Sequence, residues 1–233
     1  MTGDQRSATG LVSNPTMAPL EFFGLLRWIN GTPLLDHIEH YRQRIFEEAL
    51  AVEPDGRRRY NLILSGRAKK NWKSADLVFV ASYFLTAVES PGGNQCYIIA
   101  NDLDQAADDL ALAKKLIAAN PALARHLRIT QYRIERLDGK GFLEVLPAQD
   151  VVGTHGKTYV FAGFDEIHGH RNWDFLEAMQ LDPTRLDAIM LITSYASLHH
   201  KPGAPLFDLC QAGGQAKTLG CTSAGMRQTG PLI

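Results

Sequence analysis

One segment of the chain places an apolar run, a basic loop and a helical pattern in direct succession. The apolar run is 60–64, the loop is 66–74 with the sequence GRAKKNWKS, and the helical pattern covers 75–88. A strand, a polar loop ending in Lys-Ser and then a helix form the layout of a phosphate-binding loop. Backbone N–H groups at the helix start would face the anion, Lys73 would neutralise it, and the Ser74 hydroxyl would hold Mg²⁺. A basic surface turn is the alternative for this loop taken alone.

Trp72 stands where the usual form of such a loop has glycine. Glycine lets the backbone adopt a positive φ and approach a phosphate, whereas tryptophan adopts that conformation at an energetic cost. The residue therefore predicts either a different loop conformation or weak nucleotide binding. We favour a loop that works despite this departure.

A second apolar run, 158–164, ends in the acidic pair Asp165-Glu166. A continuous apolar run is typical of a strand buried on both faces of a parallel sheet, and such sheets bind ligands at the carboxyl ends of their strands. In nucleotide hydrolysis, Asp165 would orient Mg²⁺, usually through water, and Glu166 would act as general base on the attacking water. An acidic exit from a strand into a loop is the alternative for this pair by itself.

A third apolar run, 188–192, ends in Thr193-Ser194. Neighbouring parallel strands present their ends to the same crevice, so these hydroxyls could sense a γ-phosphate. A strand that simply runs into a Ser/Thr turn explains the same residues equally well.

Strand and helix patterns alternate along the chain, which predicts an α/β fold with a mainly parallel sheet sandwiched between helices. The predicted helices are 33–52, 73–88, 102–119 and 173–180, and the predicted strands are 62–64, 95–100, 158–164 and 188–192, with a strand pair, 128–136 and 142–146, joined by a hairpin at 138–141. We predict a flexible N-terminal arm over 1–32, a single domain over 33–210 and an irregular tail over 211–233.

Composition narrows the class of protein. The chain has 233 residues, 45% of them hydrophobic and 21% charged, with a net charge of −1. These values are ordinary for a globular protein and give no overall basic field for nucleic acid. Three scattered cysteines form no disulfide framework or zinc motif, and the polar N-terminus lacks a signal peptide, so a reducing cytoplasm is expected. The triple arginine at 57–59 is expected to be a solvated turn.

These segments together resemble the ATPase half of the large terminase subunit of tailed bacteriophages, the motor that packs DNA into capsids. The resemblance covers about 33–209. It is carried by the loop 68–74, the strand-to-helix segment 97–106, which ends in Gln-Ala, the acidic box 164–168 and the strand end 191–194.

The resemblance implies a P-loop NTPase fold of the RecA/ASCE type, with ATP and Mg²⁺ as cofactors. It implies that Lys73 and Ser74 hold the phosphates and the metal, that Asp165 binds the metal, and that Glu166 activates water. The other residues it places in the nucleotide site are Arg67, Lys69, Asn71, Trp72, Gln43 at the adenine position, and Thr193 and Ser194 in the motif that couples hydrolysis to DNA movement. Lys69 stands where the family loop usually has arginine, which keeps the charge but loses the planar fork.

The resemblance also implies partners and a location. These are double-stranded DNA, a small terminase subunit, a portal protein and a homo-oligomeric ring, in the cytoplasm of a bacterial host. In the family a nuclease half follows the ATPase, but 211–233 contains no Asp or Glu. We therefore expect this chain to be an ATPase domain without nuclease activity.

Three alternatives stay open. The sequence Asp-Glu-Ile-His at 165–168 is literally a DExH box, so a helicase fragment is one of them. A non-catalytic assembly module of the same fold, with its pocket spoiled by Trp72, is the second. The third is a metal site at His168 and His170 or at 199–200, although a lone pair of histidines in a loop is more often solvated. Arg171 is a candidate arginine finger acting on a neighbouring subunit.

Overall fold

The computed structural model describes residues 17–148, 156–170, 172–195, 201–215 and 223–226. The helices are α1 (Pro19–Leu25), α2 (His40–Ala49), α3 (Lys73–Thr86), α4 (Leu103–Ala118), α5 (Pro121–Ala124), α6 (Asp174–Ala178) and α7 (Pro205–Gln215), with 3₁₀ turns at Leu34–His37 and Ile167–Gly169. The strands are β1 (Leu62–Gly66), β2 (Asn94–Ala100), β3 (Leu127–Ile129), β4 (Arg133–Arg136), β5 (Gly141–Pro147), β6 (Phe161–Phe164), β7 (Ile189–Ser194) and β8 (Ser223–Met226). Among these helices, none is long and apolar enough to cross a bilayer.

The strands of the described residues form one sheet in the order β3-β4-β5-β2-β6-β7-β1-β8. Strands β5, β2, β6, β7 and β1 pair in parallel, whereas β3, β4 and β8 add antiparallel edges. This confirms the predicted α/β fold with a mainly parallel sheet. Strand β7 lies between β1 and β6, so the basic loop and the acidic pair follow strands that are not neighbours.

Side chains of the central strands alternate between two apolar cores, one on each face of the sheet. On β1, Ile63 packs into the core formed with α1 to α5, whereas Leu62 and Leu64 pack into the core formed with α6 and α7. Helix α3 is buried along nearly all of its length. Burial on both faces explains why these strands are continuous apolar runs in the sequence.

The predicted helix over 33–52 is wrong in its extent, because the chain breaks into a 3₁₀ turn and the shorter α2. Ile38 and Glu39 between them take extended backbone conformations, with ψ of 101° and 149°. Side chains of α2 satisfy carbonyl groups at the break. Gln43 Nε2 donates to the Ile38 carbonyl at 2.7 Å, and Arg42 Nη1 donates to the His37 carbonyl at 2.8 Å.

The segment predicted as a single strand over 128–136 is wrong as well, since it forms the hairpin β3–β4. Thr130 closes the turn, because its hydroxyl donates to the Arg133 carbonyl at 2.8 Å and accepts the Arg133 N–H at 3.1 Å. The hairpin predicted at 138–141 does join β4 to β5. Gly139 supplies the positive φ of 73° that this turn requires.

The predicted N-terminal arm is wrong for 17–32, which pack on the domain; residues 1–16 lie outside the described residues. Phe22 and Phe23 of α1 are fully buried, and the Phe22 ring lies 5.7 Å from the Tyr83 ring of α3. The Tyr83 hydroxyl donates to the Met17 carbonyl at 2.8 Å. Helix α1 has seven residues, too few for a helical period to stand out in the sequence.

The predicted irregular tail is wrong for 211–215 and 223–226. Helix α7 continues to Gln215, and β8 pairs antiparallel with β1 at the sheet edge. The β8 sequence SAGM is only four residues long and contains no β-branched or aromatic residue. Its strand conformation therefore depends on pairing with a distant segment, which local pattern does not predict.

The prediction of a solvated turn at 57–59 is wrong for Arg58. Its side chain is buried, lies over the Phe84 ring at 4.6 Å from the centroid, and donates to the Leu50 carbonyl at 3.0 Å. Arg59 is paired with Glu48 and Glu53 at 2.9 and 3.1 Å. This cluster therefore ties α2 to the strand that follows it.

The carboxyl ends of the neighbouring strands β6, β7 and β1 lie side by side at one end of the sheet. Gly66 of β1 lies opposite Ser194 of β7, and the Asp165 N–H continues the ladder beyond β6 with a bond of 2.8 Å to the Ile99 carbonyl. A Cβ added at Gly163 would lie 2.9 Å from the Leu77 side chain of α3. This glycine therefore lets α3 approach β6, which brings the start of α3 close to the acidic pair.

Candidate functional site

The loop between β1 and α3 enters the helix through a residue with left-handed backbone. Trp72, the N-cap of α3, has φ 59° and ψ 17°. Its ring packs edge-on against Trp28 at 5.3 Å between centroids, and the Arg42 guanidinium lies 5.6 Å from the ring centroid. These contacts offset the strain of a positive φ in a residue other than glycine. At this position tryptophan supplies the backbone conformation that glycine would.

Lys73, the first residue of α3, is 5% exposed in its side chain and faces two parts of the site. Its Nζ donates to the Ala68 carbonyl in the loop at 3.1 Å and lies 4.0 Å from Glu166 Oε1. The Tyr195 ring lies beyond it, with 5.4 Å between Nζ and the centroid. A buried ammonium with so few anionic neighbours suits an anionic ligand.

Asp165 is fully buried at the end of β6 and accepts hydrogen bonds from three neutral donors. Its Oδ1 accepts from the Thr193 hydroxyl at 2.7 Å. Its Oδ2 accepts from the Ser74 hydroxyl and from Gln105 Nε2, the latter at 3.1 Å. The predicted residues Ser74, Asp165 and Thr193 therefore converge at the carboxyl end of β6.

Glu166 keeps part of its side chain exposed, at 31%, and has left-handed backbone with φ 55°. Asn101 Nδ2 donates to the Glu166 carbonyl at 3.1 Å and supports this conformation. Glu166 Oε2 lies 3.8 Å from His168 Nε2. Burial lowers the pKa of His168 although Glu166 acts to raise it, so the ring is neutral at pH 7. Glu166 is thus the solvent-facing carboxylate above Lys73.

Arg67 in the loop is fixed by a buried ion pair. Its N–H donates to the Ser194 carbonyl at 2.9 Å, and its guanidinium pairs with Asp76 of α3. Asp76 also pairs with Arg42, which is 1% exposed. Burial by itself would lower the pKa of Arg42, but the hydrogen bond and charge of Asp76 raise it. This pair of arginines around one carboxylate ties α2, the loop and α3 together.

Lys69 projects from the loop onto an aromatic ring. Its Nζ lies 4.7 Å from the Tyr195 centroid, and hydrogen bonding to Tyr195 raises the pKa of this lysine. The His168 ring lies 3.9 Å from the same tyrosine ring. Tyr195 therefore contacts two of the three lysines of the loop, Lys69 and Lys73, and the histidine after the acidic pair.

The remaining predicted residues lie around this centre. Ser194 is buried, and its hydroxyl accepts the His168 N–H at 3.2 Å. Asn71 Oδ1 accepts from the Tyr41 hydroxyl at 3.4 Å. Gln43 lies on α2, where its amide is bonded to a backbone carbonyl of the preceding turn. The adenine position inferred for Gln43 stays a prediction.

Sequence reasoning missed three contributors. Gln105 and Asp76 each hold a predicted site residue, and Tyr195 covers the lysines. A signal existed for Gln105, because it belongs to the strand-to-helix segment noted for its Gln-Ala. For Asp76 no local signal existed, because its partners lie 9 and 34 residues away.

Asp109, one helical turn after Gln105, is a buried carboxyl. It is 4% exposed, its Oδ2 has no partner among the described residues, and burial together with the charge of Asp165 raises its pKa to about 8. In the unfolded chain the group ionises near its ordinary value of 3.8. Its contribution to stability is therefore greatest below pH 4 and is lost as the pH rises towards 8.

The Asp109→Asn variant should therefore gain stability over the wild type as the pH rises. Asparagine does not titrate, so the difference in free energy of unfolding should grow by up to about 1.4 kcal/mol per pH unit between pH 4 and 8. Urea denaturation across this range measures it. An exposed carboxylate of the same helix gives the control, Asp104→Asn, whose free energy of unfolding should stay within about 0.5 kcal/mol of the wild type, as is usual for surface substitutions. A flat difference for Asp109→Asn as well would show that this carboxyl ionises normally.

His168 and His170 do not form a joint metal site. The His170 ring packs between Phe164 and Phe175, at 6.3 and 6.2 Å between centroids, and burial lowers its pKa to about 4. The described residues contain no group of three His, Cys, Asp or Glu side chains that could hold a metal ion. Arg171 and 199–200 lie outside the described residues.

The donors at the strand ends have the chemistry that Mg²⁺ bound to a phosphate requires. The Ser74 hydroxyl and the Asp165 carboxylate are hard oxygen ligands in direct contact, and Lys73 lies beside Glu166 across from them. Mg²⁺ keeps several waters and takes one or two protein oxygens together with substrate phosphates. Two adjacent protein oxygens next to a buried ammonium fit that pattern.

The fold with this site resembles solved structures. The large terminase of bacteriophage HK97 superimposes with a TM-score of 0.69 over 84% of the chain, at 19% sequence identity. The chain has the fold of part of a phage large terminase. It spans 41% of the HK97 chain. No protein-family model matches the sequence, and neither does any curated sequence.

Two further terminase structures show lower similarity. The ATPase domain of the large terminase of Thermus phage P74-26 matches 72% of the chain and 79% of its own length, at 16% identity and a TM-score of 0.45. The large terminase of another thermophilic bacteriophage matches 58% of the chain and 34% of its own length, at 11% identity and a TM-score of 0.38. Of these three, HK97 alone reaches a TM-score that supports a common terminase fold.

Proposed function

We propose that the chain is an ATP hydrolase that acts with Mg²⁺ as the motor domain of a DNA-packaging terminase. The observation that carries the proposal is the convergence of Lys73, the Ser74–Asp165 pair and Glu166 at the carboxyl ends of β1 and β6. A cation, a metal-binding oxygen pair and a solvent-facing carboxylate are the groups that phosphoryl transfer to water requires.

Each residue has a role that follows from its position. The α3 N-terminus directs backbone N–H groups at the phosphates, and Lys73 neutralises their charge. Ser74 and Asp165 would hold Mg²⁺, which when bound offsets the charge on the β- and γ-phosphates. Glu166, partly exposed above Lys73, accepts the proton of the attacking water. Thr193 donates to Asp165 and Ser194 accepts the His168 N–H, so a change at the γ-phosphate would reach β7 through these two contacts.

The wider function is inferred from the terminase fold. We propose that the domain works in a homo-oligomeric ring with double-stranded DNA, a small terminase subunit and a portal protein as partners, in the cytoplasm of a bacterial host. Arg171 stays a candidate for the arginine that a ring neighbour supplies. A net charge of −1 means that DNA contact requires local surfaces or the assembled ring.

Lys73→Ala tests the phosphate-binding assignment. The Kd for ATP, measured by equilibrium dialysis with Mg²⁺, should rise by about 10- to 100-fold, because a charge-assisted contact worth about 1.5–3 kcal/mol is lost. Lys140→Ala is the matched control, since it removes the same charge from an exposed hairpin before β5, at the other end of the sheet. Equal ATP affinities for the wild type and Lys73→Ala would remove this assignment.

A further inference from the structure

Gln105 bridges the end of β2 and the buried carboxylate of Asp165. Its Oε1 accepts the Asn101 N–H at 3.3 Å, and its Nε2 donates to Asp165 Oδ2 at 3.1 Å. A backbone N–H is a donor only, so the amide oxygen must face Asn101 and the amide nitrogen must face Asp165. The orientation of this side chain is therefore fixed by chemistry at both of its ends.

The backbone of Gln105 is fixed too. Its N–H donates to Asp102 Oδ1, the N-cap of α4, at 2.8 Å. The N-cap and the two hydrogen bonds of the side-chain amide, to the Asn101 N–H and to Asp165, together hold the first turn of α4 against the end of β6. A side chain anchored in this way loses little further entropy when it holds a carboxylate in one rotamer.

Gln105 differs from the other two donors to Asp165. The hydroxyls of Ser74 and Thr193 can rotate, and the Ser74 oxygen is the one that would turn towards Mg²⁺ if the ion bound with nucleotide. Gln105 has no place in the proposed contacts to nucleotide or metal. It is therefore the donor that would still hold Asp165 Oδ2 when the Ser74 oxygen is bound to the metal.

A neutral donor at this position also suits the charge of its surroundings. Asp109 lies four residues along α4, close enough to Asp165 for the two carboxyl groups to interact. A lysine in place of Gln105 would pair with Asp165 and compete with a divalent cation, whereas a glutamate would add a repelling charge. The amide orients the carboxylate and leaves its negative charge available for the metal.

We propose that Gln105 is a positioning residue that holds the Asp165 carboxylate in the orientation required for metal binding. The inference rests on the proposed function, because it assigns a supporting group to that same site. It predicts that losing the amide weakens binding of the divalent ion while the phosphate loop keeps its affinity for metal-free nucleotide.

The test compares the wild type with Gln105→Leu and with Gln105→Asn, whose shorter amide cannot reach both partners. Mn²⁺ binding in the presence of ADP, followed by electron paramagnetic resonance, should weaken by about 10- to 100-fold in both variants, as is typical when a group behind a metal ligand is removed. The ADP affinity in EDTA should stay within about twofold of the wild type. Because this second affinity needs a folded loop, it also controls for misfolding.

The possible outcomes separate the inference from the proposed function. If the wild type binds Mn²⁺ and ADP and both variants bind Mn²⁺ with the same affinity, the role of Gln105 is wrong and the proposed function still stands. An equal loss of metal-free ADP affinity and Mn²⁺ affinity overturns the role of Gln105 as well, since it shows general damage to the fold. A wild type that binds neither Mn²⁺ nor ADP contradicts the proposed function, and the role of Gln105 falls with it.

Discussion

Replacing Glu166 with glutamine should abolish ATP turnover while leaving ATP bound. The amide keeps the size of the side chain and its place above Lys73 but cannot accept the proton of the attacking water. General base catalysis contributes about 10²- to 10⁴-fold, so kcat should fall by that factor. The ATP Kd should change little, because the phosphates are held by the α3 N-terminus and Lys73. Steady-state phosphate release and equilibrium ATP binding measure the two quantities.

Glu89→Gln serves as the control for this variant, since Glu89 is exposed just after α3, at the end of the helix away from the loop. Its turnover should match that of the wild type. If Glu166→Gln retains wild-type kcat, the general base is another group and our assignment of the acidic pair is wrong. If the wild type binds ATP without turnover, the chain is the non-catalytic module of the same fold.

Loss of the Asp76 carboxylate should cause the largest loss of stability among the substitutions considered. Asp76→Asn would leave the Arg67 guanidinium without its counter-charge and Arg42, which is 1% exposed, with only its ion pair to the half-exposed Glu39. Removing one member of a buried ion pair costs about 3–5 kcal/mol, because the remaining charge stays desolvated. Urea unfolding at pH 7 should show this decrease in the free energy of unfolding.

The exposed carboxylate of Asp36, in the 3₁₀ turn before α2, provides a matched control for the loss of one charge. Asp36→Asn should change the free energy of unfolding by less than about 0.5 kcal/mol, as surface substitutions usually do. A similarly small effect for Asp76→Asn would mean that the two arginines reach water or other partners in the folded protein.

Much of the fold was predictable because the central strands are buried on both faces. Continuous apolar runs located β1, β2, β6 and β7, and the alternation with helices predicted their parallel order. The same rule that gathers the carboxyl ends of parallel strands predicted that Ser74, Asp165 and Thr193 would meet. Elements whose conformation depends on distant partners, such as α1 and β8, were not predictable in this way.

Trp72 shows most clearly what the sequence could not decide. Its positive φ is strained in isolation, and the contacts that stabilise it come from Trp28 and Arg42 in segments that were predicted to be an arm and an unbroken helix. Since those segments were misassigned, their support for the loop was not visible. For Gln105 the Gln-Ala segment was a signal for the residue itself, but its contact with Asp165, 60 residues away, was not visible in the sequence.

The measurement that tests the central claim most directly is phosphate release from ATP by the wild-type chain, with Mg²⁺ and with EDTA, in parallel with ATP binding. We predict ATP binding and a turnover that requires the divalent ion, because Ser74 and Asp165 provide its protein oxygens at the end of β6. Absence of both ATP binding and phosphate release would contradict the assignment of a nucleotide site at the carboxyl ends of β1, β6 and β7.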